Sequence, residues 1–171
     1  FPWLTHGGLR VVFWNMNGFL HTVDSNIERL HLQRGRVIGL TRRYNILVLL
    51  ETHGNDGHHH TLRALLPFWG LFMSFHASPT SGGVIMLVHP DLLNKFDAVI
   101  LHVIEPGRAL VLDFIHPTLG LRVAAVHCDC RHRPAARRSL WRSIDFWRLP
   151  SQRGLFLLIG DFNSIAQGDS R

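Results

Sequence analysis

The sequence predicts an α/β fold, with helices layered on β-sheet, from three observations. A strand, a helix and a second strand follow one another up to Leu50; short β-rich segments separated by turn residues fill the middle; and a helix followed by an apolar strand closes the pattern. Leu9 to Trp14 and Asn45 to Leu50, apart from Arg10 and Asn45, are apolar runs rather than alternating ones, the pattern of strands buried on both faces. Between them, Ser25-Asn26-Ile27-Glu28 has the form of a capping box, in which serine and glutamate side chains satisfy the free N–H groups at a helix start. Ile27, Leu30, Val37, Ile38 and Thr41 then fall on one helical stripe, and Arg29, Arg36 and Arg43 lie opposite.

The triple histidine His58-His59-His60 follows a turn, Gly54-Asn55-Asp56-Gly57, and leads into a short helix carrying Leu62, Leu65 and Leu66. Five strand candidates come next: Gly70 to Phe75, Gly83 to Val88, Ala98 to Ile104, Ala109 to Ile115 and Leu121 to Val126. Gly82-Gly83, Pro106-Gly107 and Leu119-Gly120 supply turns, so the spacing predicts a meander. Pro134 suits the first turn of a helix whose one face carries Ala136, Leu140, Ile144 and Trp147 and whose other carries Arg138, Arg142 and Asp145. Pro150 ends it. Leu155 to Ile159 is the last strand, and it runs into Gly160-Asp161-Phe162-Asn163. At least three of Trp14, Trp69, Trp141 and Trp147 fall in apolar runs or on the core stripe of a helix, and the four read as packing residues rather than base-stacking platforms.

A length of 171 residues suits one domain, residues 1–171. Apolar residues make up 46% and charged residues 18%, the latter below the roughly 25% of average soluble domains, which excludes a disordered or charge-solvated chain. Two cysteines one residue apart, Cys128 and Cys130, build no disulfide framework, and a reducing, intracellular setting is expected. The longest stretch without a charge, Ala64 to Pro90, is cut by Pro67, His76, Pro79, Gly82 and Gly83; it reads as two strands around a turn, and no membrane partner is expected. Nothing in the sequence indicates an oligomer. The net charge is +6, and Lys95 is the only lysine among 18 strong bases. Guanidinium groups grip phosphate through a planar fork of donors, so an arginine-dominated surface fits a nucleic-acid partner; codon bias explains the same count equally well.

Three apolar strands deliver polar residues at their carboxyl ends: Asn15 and Asn17 after the first, Glu51 after the second, Asp161 and Asn163 after the last. Ligands of layered α/β proteins collect at such ends. Residues two apart on a strand point the same way, which pairs Asn15 with Asn17 and Asp161 with Asn163. Glu51 is one of only three glutamates and abuts the five-residue apolar run Ile46 to Leu50, where an unpaired carboxylate is costly. One Glu, one Asp and several amides without a cysteine cage suit a hard cation. Mg²⁺ keeps several waters, needs only one or two protein carboxylates, and offsets charge developing on a phosphate. Zinc is the competing metal, at His58-His59-His60 or at His127-Cys128-Asp129-Cys130-Arg131-His132, but a single Cys-x-Cys pair is a poor match to zinc spacing.

The segments VVFWNMNG (Val11 to Gly18), LVLLETH (Leu47 to His53), SGGVIMLV (Ser81 to Val88) and LIGDFN (Leu158 to Asn163) together resemble the endonuclease/exonuclease/phosphatase superfamily. Order and spacing agree across nearly the whole chain, and the nearest likeness is to the endonuclease domains of non-LTR retrotransposons and the apurinic/apyrimidinic endonucleases. The resemblance implies a four-layered α/β sandwich of two mixed β-sheets flanked by helices, the second sheet incomplete. It implies cleavage of phosphate esters dependent on Mg²⁺ or Mn²⁺, with DNA the expected substrate and a nuclear setting for a retroelement endonuclease.

Position by position, the resemblance makes Glu51 the metal-binding carboxylate and Asn15 the amide that supports metal and phosphate. It makes Asp161 the group that positions or deprotonates the attacking water, and Asn163 the amide that holds the scissile phosphate. Asn17 stands where some members have an aspartate near the metal, and His127 where members carry tyrosine or histidine as a phosphate donor or general acid. Arg108 matches an arginine that contacts substrate phosphate, although a lone Arg after Pro106-Gly107 also reads as a solvated turn residue. Members carry a closing Ser-Asp-His segment beyond the point where this chain ends, eight residues after Asn163, so the resemblance implies a C-terminally incomplete domain that is weak or inactive alone. Two alternatives stay open: a non-catalytic nucleic-acid-binding remnant, in which the arginines after Pro134 matter most, and a phosphatase or phosphodiesterase of the same superfamily acting on lipid or small-molecule phosphates.

Overall fold

A computed structural model of the chain describes residues 8–20, 27–118, 120–128, 134–146 and 154–162. Asn163, Cys130, His132, Trp147 and the Ser25-Asn26 half of the predicted capping box lie outside the described residues. In chain order the elements are β1 (Val11–Asn15), α1 (Ile27–Thr41), β2 (Ile46–Leu50), α2 (His59–Leu65), β3 (Gly70–Ser74), β4 (Val84–Val88), α3 (Pro90–Leu93), β5 (Ala98–Glu105), β6 (Ala109–Ile115), β7 (Gly120–His127), α4 (Pro134–Phe146) and β8 (Gly154–Asp161). A 3₁₀ turn, Asp56–His58, leads into α2 and is capped by the Asn55 side chain, which accepts from the Gly57 N–H at 3.0 Å. None of the described helices is long and apolar enough to cross a membrane.

The strands form two mixed four-stranded sheets, in the orders β1-β2-β4-β3 and β5-β6-β7-β8. In the first, β1 and β2 run parallel while β4 is antiparallel to both its neighbours. In the second, β5, β6 and β7 alternate in direction and β8 lies parallel to β7. The two sheets pack face to face. Ile46, Val48, Leu50, Val84, Met86 and Val88 of the first meet Leu110, Leu112, Phe114, Leu121, Val123 and Ala125 of the second. The alternate residues Leu47, Leu49, Ile85 and Leu87 turn outward against Val37 of α1 and Leu62 of α2. On the far side, Ala109 and Val126 bury against Leu140 and Ile144 of α4. Helix, sheet, sheet, helix is the four-layered arrangement, and it accounts for the unbroken apolar runs of β2 and β4, whose faces are both covered. Each such side chain contributes about 1.5–3 kcal/mol on burial, so the inter-sheet core fixes how the strand ends meet.

Three expectations change. The five middle strands are not one meander: β3 and β4 complete the first sheet, and the short helix α3, started by Pro90 and capped by the His89 ring on the Asp91 N–H, carries the chain across to the second. β1 is an edge strand rather than a buried one, with Phe13 47% exposed. The packed stripe of α1 runs through Leu30, Gln33, Val37 and Leu40 rather than through Ile38 and Thr41. Gln33 is tolerated inside because its Nε2 donates to the Met16 carbonyl at 2.9 Å, which satisfies both groups.

Candidate active site

The parallel pairing of β1 with β2 aligns Asn15 with Leu50, which puts Glu51 at the same end as Asn15. The parallel pairing of β7 with β8 aligns His127 with Asp161. Stacking of the sheets then brings the two carboxyl ends together through two contacts that cross from sheet to sheet. Asn15 Nδ2 donates to Asp161 Oδ2 at 3.3 Å, and Glu51 Oε1 lies 3.1 Å from His127 Nε2. Asn15 Oδ1 also accepts from the Asn17 N–H at 3.2 Å, so one carboxamide ties the loop after β1 to the acid at the end of β8. That loop is held from α1 as well, by Arg29 Nη2 on the Asn17 carbonyl at 2.9 Å and by the Gln33 contact to Met16.

Glu51, Thr52 and His53 continue past β2 as a clamped segment. The N–H groups of Met16, Gly18 and Leu20 donate to the carbonyls of Leu50, Glu51 and Thr52 at 2.7–2.8 Å on one side. On the other, the N–H groups of Thr52 and His53 donate to Gly83 and Gly82. Between these ladders Glu51 sits at φ +50°, His53 at +47° and, across the loop, Asn17 at +46°. A residue with a Cβ rarely adopts this left-handed region, and such strain persists only where the surroundings over-determine the backbone.

Arg108 is 5% exposed. Burial corrects the solvated-turn reading of this residue. Its Nη1 lies 2.9 Å from His127 Nδ1, its Nη2 donates to Ser81 Oγ at 3.3 Å, and its carbonyl accepts from the His127 N–H at 2.8 Å. The turn before it is pinned: Gly107 donates to Ser74 Oγ and accepts from the Gly83 N–H, each at 2.9 Å. Gly107 has φ +68° and a Cβ there would run into the His76 backbone, so the turn needs glycine. A cleft of 380 Å³ opens above this network, lined by Asn17, Glu51, His53, Thr80, Ser81, Gly82 and Arg108.

Of the residues singled out from sequence, Asn15, Glu51, His127 and Asp161 meet at one end of the sandwich, and Asn17 and Arg108 line the cleft beside them. Asn163 falls outside the described residues. Sequence reasoning gave no role to Ser81, His53 or Gln33. Ser81 and His53 stood inside recognised motifs, each next to a glycine, and Gln33 was a lone amide four residues from Val37 on the buried stripe.

The donors present fit a hard divalent cation. Glu51 offers a carboxylate that is 27% exposed and Asn15 a carboxamide, with oxygen donors rather than thiolate at both positions. Among the described residues no three His, Cys, Asp or Glu side chains converge into a cage, whereas a Mg²⁺ that keeps its waters asks for only one or two carboxylates. Glu51 and Asn15 are therefore the residues that would hold it.

A family model described as the Endonuclease/Exonuclease/phosphatase family matches residues 12–171. The chain belongs to this family. Among solved structures, a humanized form of D. rerio TDP2 superposes with a TM-score of 0.66 at 14% identity, covering 92% of this chain and 67% of that one. D. rerio TDP2 complexed with a single-strand DNA product gives a TM-score of 0.65 at 15% identity, over 92% of this chain and 61% of that one. The endonuclease domain of TRAS1, a telomere-specific non-LTR retrotransposon, gives 0.60 at 14% identity, over 92% and 62%. At such identities the likeness shows the fold, two mixed sheets flanked by helices. The chain spans 67% and 61% of the two D. rerio TDP2 structures and 49% of SeMet TDP2 from Caenorhabditis elegans. No curated protein sequence matches it.

Proposed function

We propose that this chain carries the catalytic end of a divalent-metal-dependent phosphodiesterase of the endonuclease/exonuclease/phosphatase family, a DNA endonuclease of retroelement type. The observation that supports this most is the convergence of Asn15, Glu51, His127 and Asp161, from four strand ends in two sheets, beside a cleft walled by an arginine and an amide. The metal, when bound, would supply a positive charge that polarises the phosphate and stabilises the departing oxygen. Glu51 and Asn15 would hold it. Asp161, oriented by its hydrogen bond from Asn15, accepts a proton from the attacking water and aims it at phosphorus. Asn17, Asn163 and the cleft-lining guanidinium of Arg108 bind the phosphate oxygens. DNA is the proposed substrate because the arginine-rich chain suits a polyphosphate and because two of its structural neighbours are a protein crystallised with a DNA product and a retrotransposon endonuclease.

The test has two arms. Mn²⁺ titration followed by electron paramagnetic resonance should show one bound ion, lost in Glu51→Gln. In a nicking assay on supercoiled plasmid, any Mg²⁺-dependent conversion to the open circle should vanish in both Glu51→Gln and Asp161→Asn. Nicking that survives both substitutions would refute these roles.

A further inference from the structure

We propose that Arg108 is a positioning residue: it holds His127 in a single tautomer, and His127 in turn fixes the direction in which the Glu51 carboxylate points. A guanidinium has five N–H donors and no acceptor, so the 2.9 Å contact between Arg108 Nη1 and His127 Nδ1 requires the lone pair at Nδ1. The ring proton is then on Nε2, the nitrogen 3.1 Å from Glu51 Oε1, and it is donated to the carboxylate. The opposite tautomer would set N–H against N–H at one end and a lone pair against a carboxylate at the other. An imidazole placed between a fixed cation and a carboxylate thus has its dipole aligned by both.

Three features make the relay rigid. Its two inner members are buried, Arg108 at 5% exposure and His127 at 1%. Arg108 is anchored at its far side on Ser81, and its main chain is bonded to that of His127. Glu51 cannot swing away by a backbone change, because the segment after β2 is clamped on both sides at positive φ. The relay therefore runs Ser81, Arg108, His127, Glu51, from the β4 side of the first sheet through the second sheet and back to the end of β2. With both ring nitrogens engaged, His127 acts on Glu51 rather than as a donor to phosphate. The same guanidinium borders the cleft, so phosphate binding and carboxylate orientation are coupled through one residue.

The last step, from carboxylate direction to metal affinity, rests on the metal reading above; the tautomer does not. Nitrogen-15 NMR of the imidazole rings in metal-free protein should show, for His127, a pyridine-like Nδ1 and a pyrrole-like Nε2. Arg108→Met, which keeps an unbranched apolar stem and removes the donors, should lose that fixed pattern and bind Mn²⁺ about 10- to 100-fold more weakly, the usual effect of removing a group that orients a ligand. Arg108→Lys, which retains one charged donor, should keep the pyridine-like Nδ1 and stay closer to the unsubstituted protein in affinity. A pyrrole-like Nδ1 in the unsubstituted protein overturns the proposal, as does an Arg108→Met variant with unchanged ring shifts and unchanged Mn²⁺ affinity. Should Arg108→Met fail to fold, the spectrum of the unsubstituted protein and the Lys variant decide. A protein that shows the expected ring pattern but binds no Mn²⁺ overturns the metal reading and upholds the action of Arg108 on His127.

Discussion

The left-handed backbone at Glu51 gives the sharpest stability prediction. Glu51→Ala and Glu51→Gly remove the same carboxylate and the same contact to His127, so their difference isolates the backbone at φ +50°. A Cβ in the left-handed region costs roughly 1–2 kcal/mol, which alanine pays and glycine does not. Glycine in turn frees the unfolded chain, a loss of about 0.4–1 kcal/mol for the folded state. The balance leaves the Gly variant more stable than the Ala variant by about 0.5–1 kcal/mol, the reverse of the order at an ordinary helix or strand position. For a chain of this size that is a shift of roughly 1–4 °C in midpoint, readable by calorimetry and, more directly, as a difference in urea midpoint at constant slope. An Ala variant as stable as the Gly variant, or more so, would refute the reading that the backbone at residue 51 is strained.

Gly160→Ala would drive a Cβ into the carbonyl of Val126 on the neighbouring strand, and should cost at least about 2–3 kcal/mol in chemical denaturation. Gln33→Ala strips the buried Met16 carbonyl of its side-chain donor, and about 1–3 kcal/mol should be lost; the exposed Arg36→Ala on the same helix should change stability by less than about 0.5 kcal/mol. Asp161→Asn should leave Mn²⁺ affinity close to that of the unsubstituted protein while lowering the rate of any metal-dependent nicking by about 10²–10⁴, a split that separates proton transfer from metal binding; parallel loss of both would assign Asp161 to the metal instead. DNA affinity in Ca²⁺ should fall steeply between low and moderate salt and survive Asp161→Asn, as measured by fluorescence anisotropy; a flat salt dependence would remove the phosphate backbone as the source of binding.

The elements were largely legible because their causes are local. An apolar run reads as a strand whatever it pairs with, as β2, β4 and β8 do, and the polar residues at strand ends stood out against them. Where the sequence misled, a non-local event decided. The expected stripe of α1 shares Leu30 and Val37 with the packed face but misses Gln33, whose Met16 partner lies in a loop that periodicity does not reach, and Leu40. The middle strands looked like one meander because turn spacing is blind to which sheet a hairpin joins.

Sequence alone determined that this chain layers helices on sheet and that Asn15, Glu51 and Asp161 stand at the carboxyl ends of apolar strands; each follows from residue type and near neighbours. Only the tertiary structure decided that Glu51 meets His127, that Asn15 meets Asp161, and that Arg108 is buried behind them rather than solvated in its turn. Those contacts join residues from separate sheets, and they exist because packing the two apolar faces against each other fixes where the strand ends meet, a choice made by the whole core and written in no single segment.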